Sequence, residues 1–415
     1  MATMRAALTL LTLCGIAASM PVAAQLAVPG VSLPQVPPID LPGLPADRAL
    51  EGVTGNLAQS AERLLELRSE RIDRLVRRSG DTIELDAQGA PARRGELLVL
   101  DPAQGALAAA QAAGFVVAGR EDLDNLGVSV VRLTLPRGMS LAQGEALLRR
   151  VAPGAEIAPD HLHFQTGGRA LPMLQAASLA AAAPIATPVG IIDGAPGAGQ
   201  TVAAMRGFAR GAPVASHHGS AVTSLLASAG ASDVRVADIY GSDPAGGNAL
   251  ALVRALDWLT GGGARVISIS LGGPNNAAVA KAIAAAQRKG VVIVAAVGND
   301  GPAAPPAYPA SYSGVLAVTG ADGRGRALIE AGRALHLDYT APGADIAARN
   351  KSGKWSRVRG TSYAVPLVAA RVAAALGRGG SWRAALDREA EDLGPRGPDS
   401  QYGRGLLCRG CARRS

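Results

Sequence analysis

A serine hydroxyl becomes a useful nucleophile only beside a base, and the base needs a third group to orient it. The sequence offers such parts in four short segments. Asp193 closes the apolar run Val189-Gly190-Ile191-Ile192. His218 opens the apolar stretch Gly219-Ser220-Ala221-Val222. Asn299 follows the run Val291–Val297 through Gly298. Ser362 sits in Gly360-Thr361-Ser362-Tyr363-Ala364-Val365-Pro366, ahead of an Ala-rich helix expected over 365–376. A serine at a helix N-terminus gains from the dipole and has free backbone N–H groups beside it. In this arrangement His218 takes the Ser362 proton and later returns it to a leaving amine. Asp193 fixes the tautomer of His218, and the Asn299 amide with the Ser362 N–H donates to an oxygen turning negative. The chemistry is attack on a carbonyl.

Each residue also has a plain structural reading. Asp193 could cap a turn with Gly194, Asn299 could serve a tight turn, and Ser362 could be an N-cap. None of these explains why the four occur together. His217 adjoins His218, but only His218 is followed by Gly-Ser-Ala-Val. His161, His163 and His336 lack such a context and read as surface or hydrogen-bonded residues.

The elements that must hold these groups alternate along residues 188–407. Strands are expected at 189–192, 234–239, 266–271, 291–297 and 315–319, with helices at 250–259, 277–289 and 365–376. Continuous apolar strands between helices indicate a parallel sheet covered on both faces, hence a doubly wound α/β domain. In such sheets ligands gather at the carboxyl ends of the strands, where Asp193 and Asn299 fall. A smaller α+β unit is expected over 94–165. Its order is strand 96–100, helix 106–113, strands 115–117 and 128–133, helix 140–151 and strand 155–161, the split βαβ pattern. Ser140 with Gln143 three residues on forms a capping-box signature. Residues 166–187 read as an Ala- and Gly-rich linker.

The four segments resemble the aspartate, histidine, oxyanion-asparagine and serine motifs of the subtilisin-like serine proteases, in the family's chain order Asp, His, Asn, Ser. Ser220 stands where Thr is more usual and Tyr363 where Met is common. Asp193 and His218 are 25 positions apart, short for the family, so the loops between them are trimmed. Ser270-Leu271-Gly272-Gly273 resembles the strand that pairs with the substrate backbone. Together with Ala296-Val297-Gly298 it would line a small, apolar first-specificity pocket. Tyr308-Pro309-Ala310, Ala341-Pro342-Gly343 and the ending through Tyr402-Gly403-Arg404-Gly405-Leu406 agree. The resemblance covers about 188–407, and the unit ending Asp160-His161 resembles the family's inhibitory prodomain more loosely. It implies a serine endopeptidase made as a zymogen, with polypeptide substrates and its own propeptide as intramolecular inhibitor. Cleavage is expected somewhere in 164–187. No cofactor is expected. Calcium, which many relatives bind through acidic loops, is neither predicted nor excluded, because no dense Asp/Asn/Glu loop stands out. Two other functions use the same fold: a catalytically silent binding scaffold, and a peptide ligase or cyclase using the same acyl-enzyme.

Composition narrows the rest. The 415 residues are 48% hydrophobic with a formal net charge of +8. The basic residues are nearly all Arg and are scattered, so nucleic-acid binding is not expected. Arg5, the apolar stretch 6–20 and Val22-Ala23-Ala24 form a secretory signal cut before Gln25, which implies a secreted or periplasmic product. No segment is apolar for long enough to make a stable membrane span. Residues 25–93 comprise a Pro-rich segment over 27–45 and an amphipathic helix over 46–78. Cys408 and Cys411, opening the tail 408–415, form a disulfide, a pair of thiols or a zinc half-site.

Overall fold

The computed structural model describes residues 46–167, 171–172 and 182–411. The expected signal segment, the Pro-rich stretch, most of the linker and the last four residues lie outside the described residues. The chain divides into Met1–Ala46, of which only Ala46 is described, and Asp47–Ser415. Among the described residues no helix is long and apolar enough to cross a membrane.

A long helix, α1 (Ala46–Arg78), leads into a five-stranded antiparallel sheet. This sheet contains β1 (Ile83–Leu85), β2 (Pro91–Leu100), β3 (Val116–Leu123), β4 (Val128–Thr134) and β5 (Glu156–His161). Across it the order is β3-β4-β2-β5, with β1 on the start of β2. Helix α2 (Gln104–Ala112) and helix α3 (Leu141–Val151) cover one face. At the start of α3 the Ser140 hydroxyl accepts from the Gln143 N–H, and the Gln143 side chain accepts from the Ser140 N–H. The reciprocal pair satisfies two donors that a helix start leaves open. Leu97 and Val99 of β2 face this unit's own helices, while Leu98 and Leu100 face the other way, into a core shared with the rest of the chain. A strand with both faces buried must be apolar throughout, as Leu97-Leu98-Val99-Leu100 is.

The remaining chain adds two short strands, β6 (Phe164–Gln165) and β7 (Leu171–Pro172), and then the large α/β body. Its strands are β8 (Val189–Asp193), β9 (Ala204–Gly207), β10 (Val234–Asp238), β11 (Val266–Ile269), β12 (Leu271–Gly272), β13 (Val292–Ala296), β14 (Leu316–Ala321) and β15 (Tyr339–Pro342). Seven of them form one sheet, ordered β15-β14-β13-β11-β8-β10-β9. Every pairing in it is parallel. The doubly wound α/β fold is therefore as the apolar runs dictate. Helices α4 (His217–Ser228) and α7 (Val365–Gly377) cover one face, α5 (Ala249–Gly261) and α6 (Ala277–Arg288) the other. Alternate residues divide between the layers: Val189, Ile191 and Val266 go one way, Ile192, Ile267 and Ile269 the other. Gly190 is required where it stands, because a Cβ there would lie 2.8 Å from Leu259 of α5. The hairpin β16 (Ile346–Arg349) and β17 (Trp355–Val358) pairs with β7, and α8 (Trp382–Glu389) packs on α7.

One expected strand is divided. Residues 266–271 read as a single run, but the sheet strand ends at Ile269, and after Ser270 the chain turns out to form β12. β12 pairs antiparallel with β6, placing Leu271 opposite Gln165 and Gly272 opposite Phe164. The apolar run is continuous because Leu271 is still fully buried, so composition alone hides the break. At the C-terminal end Cys408 and Cys411 form a disulfide.

Candidate active site

Asp193 is the last residue of β8, at the carboxyl end of the strand that lies between β11 and β10. Its carboxylate accepts from the Gly194 N–H at 2.7 Å and from His218 Nδ1 at 2.8 Å. His218 is the second residue of α4, a helix capped by the Ser216 hydroxyl on the Gly219 N–H. The other ring nitrogen, Nε2, lies 3.0 Å from Ser362 Oγ. Asp193, His218 and Ser362 are all buried. His217 is exposed, so the two adjacent histidines part at once.

Ser362 lies in the 3₁₀ turn Thr361–Tyr363 just before α7, where Pro366 is tolerated in the first turn because its missing N–H would be unpaired anyway. Its carbonyl accepts from the Ser270 hydroxyl at 2.8 Å, tying the turn to the end of β11. Asn299 follows β13 through Gly298, whose φ of 88° suits glycine. The Asn299 Oδ1 accepts from the Thr361 N–H at 3.0 Å, and the Thr361 hydroxyl donates to the Gly298 carbonyl at 3.1 Å. These two bonds turn the Asn299 amide N–H₂ toward the cleft, where it donates to the Thr166 carbonyl. Sequence reading missed Thr361 as an orienting residue, although it sits inside the serine motif. It also missed Gly360. At φ 142° a Cβ on Gly360 would lie 2.7 Å from the Asn299 amide nitrogen and 3.0 Å from the Thr166 carbonyl. Any other residue would fill the space a bound chain needs.

Of the residues expected to bind substrate, Ser270, Leu271, Gly272 and Gly273 line one edge of the cleft. The Ser270 carbonyl accepts from the Thr166 N–H and hydroxyl, both at 3.2 Å. Gly272 faces the Thr166 methyl and Gly273 faces the His163 ring. Gly298 borders Ala307. Ala296 and Val297 place their side chains in the two cores flanking the sheet instead.

The cleft is filled by residues 163–167 of the same chain. Gln165 donates to the Asp193 carboxylate at 2.8 Å. His163 is fully buried, and neither ring nitrogen has a hydrogen-bond partner among the described residues. The expectation of a surface or hydrogen-bonded histidine fails here, because packing against Gly273 leaves no room for a polar partner. Burial lowers the His163 imidazole to about 4, with the neighbouring His161 adding to the effect. His161 is hydrogen-bonded, to Asp86 at 2.8 Å and Asn276 at 3.0 Å. Tyr363 follows the nucleophile in sequence, but its ring lies beside His218, with centroids 5.4 Å apart, and burial raises its phenol. Among the described residues no group of three or more His, Cys, Asp or Glu gathers as a metal site.

A buried carboxylate, imidazole and hydroxyl in one line, at the carboxyl ends of a parallel sheet, define the serine hydrolases of the α/β class. Sequence comparison places the chain within that class. A profile of the Subtilase family matches residues 209–405. Subtilisin BL of Lederbergia lenta is 30% identical over 189 residues, which are 44% of this chain and 68% of that protein. Thermitase of Thermoactinomyces vulgaris is 37% identical over 164 residues, 39% of this chain and 57% of that protein. The chain belongs to the subtilase family, the subtilisin-like serine endopeptidases. The alignments span between 30% and 68% of the curated relatives' own lengths. The crystal structure of fervidolysin from Fervidobacterium pennivorans, a keratinolytic enzyme related to subtilisin, superposes with a TM-score of 0.64. It covers 79% of this chain and 62% of that one at 18% identity, a likeness of fold.

Proposed function

We propose that the chain is a secreted serine endopeptidase that hydrolyses peptide bonds by an Asp193–His218–Ser362 triad and is made as a zymogen. The observation that carries this reading is the continuous line from the Asp193 carboxylate through both nitrogens of His218 to Ser362 Oγ, at 2.8 and 3.0 Å. Ser362 Oγ attacks the carbonyl carbon while His218 Nε2 takes its proton. Asp193 holds the Nδ1 proton and stabilises the imidazolium. The negative charge arising on the carbonyl oxygen is met by the Asn299 amide. His218 then gives its proton to the leaving amine, and water cleaves the acyl-enzyme by the same route in reverse.

The zymogen part of the reading is supported by β6, which lies along β12 in the place of a substrate strand. Residues 94–165 would serve as inhibitor and folding aid. A seven-stranded parallel sheet joins distant segments, which slows folding and gives such an aid a physical reason. Polypeptides are the substrates, and secretion follows from the signal expected over 1–24.

The test compares the wild-type chain with Ser362→Ala, using a fluorophosphonate probe and casein. One label per chain with casein degradation, both lost in the variant, is the expected result. No label and no degradation in the wild-type chain would favour a silent scaffold. Joining of added peptides in preference to their hydrolysis would favour a ligase.

A further inference from the structure

We infer that the first bond this enzyme cuts is its own Thr166–Gly167 peptide bond, so that the working enzyme begins at Gly167. The inference rests on the protease reading above and narrows the expected interval of 164–187 to one bond. Four independent contacts single it out.

The first concerns the carbonyl. In acyl transfer the attacked carbonyl is the one whose oxygen the charge-stabilising donor reaches. The Asn299 amide donates to the Thr166 carbonyl and to no other among the described residues. The second concerns register. The Thr166 N–H donates to the Ser270 carbonyl, and Gln165 and Phe164 continue as a β-pair with Leu271 and Gly272. A slip by one residue would reverse which side chains face the body, and the burial of His163 against Gly273 opposes that slip. The third concerns the leaving side. The general base must stand beside the residue that departs, because it delivers the proton there. The position of a Cβ on Gly167 would be 2.5 Å from His218 Cδ2 and 2.7 Å from the Tyr363 hydroxyl. Gly167 is therefore the residue against the base, and a glycine is what the space admits. The fourth concerns room. Gly360 has no Cβ at the place where one would meet both the Thr166 carbonyl and the Gly167 Cα.

The cut conserves atoms and electrons. The Ser362 Oγ–C bond to Thr166 forms, and the C–N bond to Gly167 breaks. The Ser362 proton passes through His218 Nε2 to the Gly167 nitrogen. One solvent water then adds its hydroxyl to the Thr166 carbon and returns a proton to Ser362. The products are a new Thr166 carboxylate and a new Gly167 amine, and one water is consumed.

The full chain is followed from the first minutes of folding by intact mass and N-terminal sequencing, alongside Ser362→Ala and Gly167→Val. The expected wild-type products are a fragment ending at Thr166 and one beginning at Gly167, their masses together exceeding the chain by one water. Ser362→Ala stays whole. Gly167→Val presses on the imidazole and slows the cut at least about tenfold, the range over which one misfitting group discriminates in a site. A synthetic peptide of residues 161–172, given to the processed enzyme, is cut at Thr-Gly. An enzyme that takes the fluorophosphonate label but starts elsewhere from its earliest appearance, or cuts the peptide at another bond, overturns the assignment and leaves the protease reading standing. A chain that is neither cut nor labelled overturns both.

Discussion

The two sides of the large sheet are filled by Ala, Val, Leu and Ile from α4 and α7 on one face and α5 and α6 on the other. The seam between that body and the N-terminal unit is built differently. Its centre is apolar, with Leu98, Leu100, Leu123, Leu126, Val128 and Val130 set against α5 and α6. Its edge is ionic. Lys281 bridges Asp101 at 2.8 Å and Glu156 at 2.6 Å, Arg93 meets Asp243 at 2.6 Å, and Arg254 meets Glu121. Helix α1 adds Arg71, which lies 3.0 Å from Asp300 and over the Phe164 ring. An apolar centre with a charged rim is the anatomy of a contact between separable partners. The body is packed by apolar side chains on both faces of its sheet, whereas the seam adds ion pairs around its apolar centre.

Substitutions on the two sides should therefore fail in different ways. Ser362→Ala is expected to cost the most, about 10⁶-fold in kcat, the size known for subtilisin when it loses its serine. It should leave the N-terminal unit in place, checked by a single species in gel filtration. Asp193→Asn should lose about 10⁴-fold with binding retained, through the wrong His218 tautomer. Asn299→Ala should lose about 10²–10³-fold, again the size known for subtilisin, read as kcat on a peptide anilide. Changes at the seam should spare kcat and alter docking. Lys281→Ala should loosen the cut N-terminal fragment by only about 0.2–1 kcal/mol, and added salt should erase the difference. Loss of kcat in Lys281→Ala would break the distinction.

Two buried groups at the seam make its pH dependence a sharper test. Burial raises the Asp160 carboxyl to about 6, although the Leu250 N–H, Arg93 and Arg254 favour its charge and Glu96 opposes it. A raised carboxyl stabilises the docked state most below the ordinary carboxylate range, and that contribution is lost as pH rises through about 6. His163, facing Gly273 and His161, has a lowered pKa and contributes fully above the ordinary histidine range, losing it as pH falls through about 4. Between pH 4 and 6 the two oppose each other, so fragment affinity should change little. Asp160→Asn should expose the histidine alone, and affinity should then fall by up to about tenfold per pH unit on acidification. A flat profile in the variant would remove His163 from the account.

Much of this was legible in the residues. Continuous apolar strands gave the parallel sheet, the Ser140/Gln143 pair gave a helix start, and the motifs put Asp193 and Asn299 at strand ends and His218 and Ser362 at helix starts. The illegible parts all depend on residues brought together from far apart. Nothing near Arg71 points to Asp300, and nothing near Gln165 points to Asp193. The break at Ser270 is hidden because both sides of it are buried. The orphaned ring of His163 follows from Gly273 opposite, a contact between segments more than a hundred positions apart.

The outer face of β2 also governs the fate of the N-terminal unit after the cut. Leu98 and Leu100, with Leu123, Leu126, Val128 and Val130, are covered only while the unit is docked on α5 and α6. Once detached, the unit would turn an apolar sheet face to water and become easier to unfold. A loosened chain beside a freed protease is a ready substrate. On the zymogen reading, the face that would make the unit fit as an inhibitor would also make its release one-way.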